Sequence, residues 1–547
     1  MTKRTARGKG VFGGKLLRSV RSISARTSRG VLWVVGTLAA IVLVAFLASI
    51  FLQEPLRRSI ERRMNARLIG YTVHIADLDL SLFGLAVTLK GLTVRQQANL
   101  APAVADLPYL RASVHWRALL SLRLVSDVLF DRPRVYLNLK QLRNEARDKV
   151  PVKDRGWQDA LAEMYPLKIN LLRVQDGRLT YIDEDPKRPI QIRQLQFRAN
   201  NIRNILSRDQ GYPSPIHAEA VIFERGRGTL DGHANFLGKP FPGVNALFRF
   251  QEIPLEPFRP LVSRANLLVR GGALSASGRL EYAPRARVLD VADLTIRGLH
   301  LDYVHTARTA AAEERRADKV GRAARRATDK PGLLLRLQRF ELANAEIGLV
   351  NRARKPDYRV FLSGTDLEVT NLSNQLRRGP ARARLAGKFM GSGRTVAAAS
   401  FRSEKKGPDF DLDLAIRGTQ LKSMNDMLRA HAKVDVVGGI FSFYSEVRVK
   451  DGRIAGYVKP LFKDVDAYDP KQDEQDNIFR KIWEGLVGGI AKLLENEPRD
   501  EVATRADISG PVENPDSNSW EIIVRLVQNA FFKAILPGFE KTLPRRK

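Results

Sequence analysis

The chain has 547 residues, 91 Lys and Arg against 59 Asp and Glu, a net charge of +32 and no cysteine. An apolar content of 44% excludes wholesale disorder, and the length leaves room for about two to four domains or one long repeat structure. The absence of cysteine excludes disulfides, thiolate metal sites and a cysteine nucleophile.

The first segment, 1–30, carries Lys3, Arg4, Arg7, Lys9, Lys15, Arg18, Arg21, Arg26 and Arg29 and no acid. Val31 to Leu52 follows, VLWVVGTLAAIVLVAFLASIFL, without a charge. At about 1.5 Å per residue this run spans a hydrocarbon core of about 30 Å. Basic flanks stay in the cytoplasm, so 1–30 reads as a cytoplasmic tail, 31–52 as a transmembrane helix and the remainder as an exported body. A cleaved signal peptide would carry shorter basic and apolar regions, and no A-x-A site closes this one. Without the nine basic residues of the tail, the rest of the chain keeps a charge of +23.

Residues 55–68, PLRRSIERRMNARL, predict a short basic helix. Arg57, Arg58, Arg62 and Arg63 either rest on anionic headgroups or decorate a solvated stalk. Strand signals then dominate. Asp409 to Ile416, DFDLDLAI, alternates with a period of two, which predicts a sheet with one wet and one oily face. Leu78 to Leu82, Leu85 to Leu89 and Leu167 to Leu171 alternate likewise.

An internal duplication is legible. LKINLLRVQDGRLTY from Leu167 matches LRLQRFELANAEIGL from Leu335, 168 residues on, and Leu255 and Gly271-Gly272 match Leu421 and Gly438-Gly439 at offsets of 166 and 167. A degenerate third copy of the strand block reads from Val128 to Leu137. Stacked β units of roughly 115 residues follow, in about 25 strands, each unit covering its neighbour's edge. The expected layout is an N-terminal β region at 53–165, repeat units at 166–285 and 334–465, a linker with an exposed charged helix at 286–333, and an amphipathic helical region at 466–547. Apolar residues at helical spacing in 478–494 and 520–539 predict two C-terminal helices. These either cap the sheet or dip into a membrane. The fold class is therefore mainly β: a transmembrane helix, then an elongated, twisted antiparallel groove of duplicated units.

No catalytic constellation emerges. His300, Asp302 and His305 come nearest to a ligand cluster, but on a strand His305 points away from the other two. The acidic run from Asp464 to Asp476 lacks calcium-loop spacing. The basic residues are spread out without aromatic interleaving, which argues against nucleic acid. The expectation is a protein that is not an enzyme and needs no metal or other cofactor.

The anchor followed by Leu78-Asp79-Leu80-Ser81-Leu82, the paired strand blocks, and the stretch from Gly438-Gly439-Ile440-Phe441-Ser442 into Asp451-Gly452-Arg453-Ile454-Ala455-Gly456-Tyr457 resemble the AsmA-like superfamily of bacterial envelope proteins. The nearer likeness is to its domain of unknown function 748 branch, shared by Trp483-Glu484-Gly485-Leu486 and Val527-Gln528-Asn529-Ala530-Phe531. The resemblance implies a periplasmic β-groove held at the inner membrane, with larger relatives regarded as lipid carriers. The residues expected to line such a groove are Leu167, Ile169, Leu171, Leu335, Leu337, Phe410, Leu412, Leu414 and Ile416. The expected partners are the inner membrane, a phospholipid or other lipid, and an envelope protein. The rival expectation is a non-catalytic scaffold for an envelope assembly or secretion complex, with a closed apolar core.

Overall fold

The computed structural model describes residues 51–468, except 82–83, 115–124, 148–167, 184–188, 203–210, 237, 239–240, 285, 329, 376–378 and 403–408, together with 37, 40, 501–503 and 506–511. The tail 1–30, the apolar run 31–52 apart from Thr37, Ala40, Phe51 and Leu52, and both expected C-terminal helices lie outside the described residues.

Alternating apolar residues and β-branched runs put most of the chain into one twisted sheet. Its strands are β1 (Tyr71–Ser81), β2 (Ala86–Gln96), β3 (Ala105–Val114), β4 (Val125–Asp131), β5 (Arg134–Asn138), β6 (Lys168–Ile182), β7 (Ile190–Ile202), β8 (Ser214–Ile222), β9 (Gly226–Asn235), β10 (Gly243–Pro254), β11 (Leu267–Tyr282), β12 (Arg287–His305), β13 (Leu333–Asn351), β14 (Tyr358–Ser373), β15 (Ala381–Phe389), β16 (Gly393–Phe401), β17 (Phe410–Gln420), β18 (Asp435–Lys450), β19 (Arg453–Tyr468), β20 (Glu501–Ala503) and β21 (Ala506–Pro511). Neighbours in sequence are neighbours in the sheet. β4 and β5 share one position between β3 and β6, and β20 and β21 share another beside β19. The sheet is therefore 19 strands wide, or about 86 Å at ~4.8 Å per step, shorter than about 25 strands would give.

The sheet is mixed, which corrects the all-antiparallel expectation. β4 and β5 pair parallel with β6, and β12 pairs parallel with β13. A parallel pair needs a crossover rather than a hairpin. Helices Leu139–Arg147 and Ala310–Ala327 lie on those two connections. The block from Val128 to Leu137 is the broken strand β4–β5.

The duplication is longer than roughly 115 residues. β6–β12 and β13–β19 are two seven-strand meanders in the same order. Each has a short helical cap between its fifth and sixth strands: Glu256–Phe258 with Arg259–Ser263 in the first, Leu421–Met424 with Asn425–Ala432 in the second. Arg287–His305, expected as the start of a linker, is the 19-residue closing strand of the first repeat. Within 466–547, expected as helical, Glu501–Ala503 and Ala506–Pro511 are strands paired with β19.

A line of left-handed residues crosses the sheet. By register Arg132 faces Asp176, and Gly298 faces Gly272 on one side and Asn344 on the other; all have positive φ. Gln194, Glu252, Gly364, Gly418, Gly439 and Asp464 continue it next to register shifts. Bulges bend a strand and re-aim its side chains. Aligned across neighbours, they put one crease along the sheet.

Residues 51–67 form a helix that closes the free edge of β1. Asn65 donates to the Val73 carbonyl (2.9 Å) and accepts from the Val73 amide (2.7 Å). Arg57 donates to the Ile75 carbonyl (2.7 Å), while Glu61 accepts from the Ile75 amide (3.0 Å). Unpaired strand groups invite pairing with other chains, and these side chains occupy them.

Candidate functional site: a continuous apolar face

Residues directly opposite one another in a sheet project to the same face. One such lane runs through Leu78, Leu89, Leu110, Phe130, Val174, Phe197, Ala218, Leu230, Phe248, Gly278, Val291, Leu337 and Leu372, from β1 to β14, with no polar side chain. A second runs through Leu274, Ile296, Leu342, Leu367, Leu385, Ala397, Leu414, Ser445 and Val458, from β11 to β19. The lane on the other face reads Asp79, Thr88, Arg111, Leu129, Arg173, Arg198, His217, Asp231, Leu247, Arg279, Asp290, Arg336 and Ser373. The sheet thus has one oily and one charged face along its length.

The cover on the oily face is uneven. Near β1, Leu78, Leu89 and Leu110 are buried in a cluster with Ile60 and Met64 of helix 51–67 and with Leu68 just beyond it. Under the second cap, Leu421, Met424, Met427 and Leu428 fill a core with Val360, Ile416 and Phe441. Between these regions Leu230, Phe248, Val291, Leu337 and Leu372 are only half-buried, and Leu289 and Leu335 are 39% and 40% exposed. Burial is worth about 25 cal/mol per Å² of apolar surface, so a long, partly wet apolar lane favours an apolar guest.

The expected lining residues are placed as follows. Leu335, Leu337, Phe410, Leu412, Leu414 and Ile416 lie on the oily face; Phe410 and Ile416 are buried, Leu337, Leu412 and Leu414 half-buried. Ile169 packs into the clusters of that face. Leu171 does not: it faces Asp127 and Asn200, and Leu172 takes the oily position. A register shift between β4 and β6 moves the alternation by one residue there. Leu167 lies outside the described residues. Simple alternation along Leu167 to Leu171 does not show the bulge.

Of the four basic residues expected at a membrane surface, Arg57 is committed elsewhere, to Glu54 (2.7 Å), Glu61 (3.1 Å) and the Ile75 carbonyl. Arg58 pairs with Glu54 (2.6 Å), and Arg62 donates to the Arg58 carbonyl (3.3 Å); Arg63 is exposed. The two guanidinium groups hold the Glu54 carboxyl down at about 2.

Asp302 and His305, near the crossover, serve the fold, while His300 is exposed. Asp302 is buried between Arg270 (2.8 Å) and Arg359 (2.8 Å). His305 pairs with Glu313 (2.8 Å) on the crossover helix, which also accepts from Asn266 (2.5 Å) and Thr309 (2.5 Å). The crossover helix expected as exposed is therefore docked along one side, with Arg315, Lys319, Arg322 and Arg326 on its exposed side. No group of three or more potential metal-ligating side chains occurs among the described residues. No helix among them is long and apolar enough to cross a membrane, which says nothing about the run 31–52. No family model matches the chain, and no curated protein matches it.

Proposed function

We propose that the protein is a membrane-anchored, non-catalytic lipid carrier whose creased β-sheet forms a groove for acyl chains, in the periplasm of a bacterial envelope. The observation that carries this reading is the unbroken apolar lane from Leu78 to Leu372, half-buried through the middle of the sheet. Acyl chains are the natural guest of a lane that is long, narrow and without hydrogen-bonding side chains. The uncharged run 31–52 behind nine basic residues supports an anchor with its N-terminus in the cytoplasm. The resemblance to AsmA-like envelope proteins points the same way. Directional transfer needs a partner, since lipid binding by itself supplies no energy.

The test is lipid extraction and native mass spectrometry of the full chain purified in mild detergent. Co-purifying phospholipid, lost in Leu337→Arg, is the expected result. A lipid-free protein that takes up none from liposomes overturns the carrier and leaves the scaffold reading. A periplasm-only reporter fused to the C-terminus is expected to be active; silence there, with a cytoplasmic reporter active, overturns the topology.

A further inference from the structure

A cleft of about 820 Å³ opens beside the cap of the first repeat. Its walls come from the end of β6, the start of β7, the β8–β9 hairpin and the cap segment 254–264. The cap has two sides. Leu255 and Val262 pack onto the oily-face cluster of Val269, Leu299 and Leu342, while Glu256 and Arg259 line the cleft. Phe223 meets Phe258 edge to face at 4.9 Å. Pro189, Pro254, Pro257 and Pro260 stiffen the walls, since each fixes its own φ.

The charges in the cleft are left divided. Arg264 is paired with Asp183, and Arg193 donates to the Gln191 side chain (2.8 Å). Among the described residues, Arg225, Arg259, Glu224 and Glu256 make no side-chain hydrogen bond or ion pair. Three cations, Arg193, Arg225 and Arg259, and two carboxylates, Glu224 and Glu256, therefore face one cavity without neutralising one another. A guanidinium grips a phosphate bidentately, and a carboxylate takes an ammonium. The aromatic face of Phe223 adds a surface for a cation. A ligand that carries both a phosphate and an amine matches this set; a simple anion meets the two carboxylates as well.

The second repeat lacks every one of these groups. Gly391, Ser392, Lys422 and Asn425 stand where the first repeat has Glu224, Arg225, Glu256 and Arg259. Its cap is filled by Met424, Met427 and Leu428. The cleft is thus not a by-product of the repeated backbone.

We propose that this cleft binds a zwitterionic headgroup, a phosphate ester bearing a primary amine, of a lipid whose acyl chains the oily face holds. The proposal rests on the lipid-carrier reading for the chains but not for the headgroup. Isothermal titration of the full chain with soluble glycerophosphoethanolamine reads the cleft alone, with glycerol phosphate and inorganic phosphate as comparisons. Binding at least tenfold tighter for glycerophosphoethanolamine than for either comparison is expected, with loss of at least tenfold in Arg225→Ala/Arg259→Ala. Glu224→Gln/Glu256→Gln is expected to abolish the preference while retaining phosphate binding, which keeps the test open if the arginine variant fails to fold. No binding of glycerophosphoethanolamine, or equal binding of all three probes, overturns the cleft assignment. Uptake of liposome lipid without headgroup binding overturns the cleft and spares the groove; headgroup binding without lipid uptake does the reverse.

Discussion

The two repeats share a backbone and differ in what fills it. Asp176 and Asn344, Gln194 and Gly364, Asn201 and Asn371, Glu252 and Gly418, and Gly298 and Asp464 occupy matching positions, all with positive φ. Seven strands, one cap and one crease recur at offsets of 166 to 170 residues. The filling of the caps has diverged: a methionine-rich core in the second repeat, a charged cleft in the first. Backbone geometry is a property of register and bulges, which a duplication copies whole. Cap filling depends on a few side chains, which can change without disturbing the ladder.

The largest expected contrast lies in the caps. Leu428 is 1% exposed, so Leu428→Ala should lower unfolding stability by roughly 2–5 kcal/mol. Val262 is only half-buried, so Val262→Ala should cost about 1 kcal/mol. Denaturant titration with hydrogen exchange of each cap reads both. Equal losses would mean that the two caps are equally packed.

The oily face should respond alike in both repeats. Phe248 and Leu414 are matching positions on it; Leu247 and Asp413 are their outward neighbours. Phe248→Asp and Leu414→Asp should each cost roughly 1–3 kcal/mol, because a charge enters an apolar lane. Leu247→Lys and Asp413→Lys should stay within about 0.5 kcal/mol. Thermal melts of the four variants decide it, and tolerance of both inward changes would reverse the assignment of faces.

A smaller contrast concerns a glycine. A side chain at Gly232 would collide with the Asn245 carbonyl oxygen and meet the Ala246 Cα at 2.5 Å, both backbone, whereas the matching position in the second repeat is Ala399. Gly232→Ala should cost about 1–3 kcal/mol, and Ala399→Gly about 1 kcal/mol or less. Chemical denaturation curves compare them directly.

The smallest effect is a pH dependence at the joint between the repeats. Burial pushes the Glu313 carboxyl up, but hydrogen bonds from His305, Thr309 and Tyr303 outweigh it and hold the group below the usual carboxylate range. A depressed value in the folded state means that the contribution is complete above the unfolded value and is lost as pH falls through the folded one. Hydrogen-exchange protection across 310–327, relative to the intrinsic rate, should therefore fall below about pH 4.5, and Glu313→Gln should flatten that dependence. An unchanged profile in the variant would remove Glu313 as its source.

Much of this architecture is legible in the chain. Period-two alternation at 409–416 predicts the face of every residue from Phe410 to Ile416, and the offset of 168 between Leu167 and Leu335 marks the duplication. Alternation failed at Leu171, where a bulge shifts the phase, and the strand Arg287–His305 hid behind charged residues that belong to its outward face. The cleft was not legible, because its residues come from Asp183 and the segments 189–193, 223–225 and 254–264, which meet only through the sheet.

The sequence by itself determined most of the strands, their two faces away from the bulges and the existence of the repeat, because these depend on local alternation and on copied blocks. Only the tertiary structure decided the parallel junctions at β6 and β13, the crease, and which part of the oily face is covered. The physical reason is that register, bulges and cover are pairwise properties of segments distant in the chain: a residue's neighbours fix which way it points, but not what it meets there.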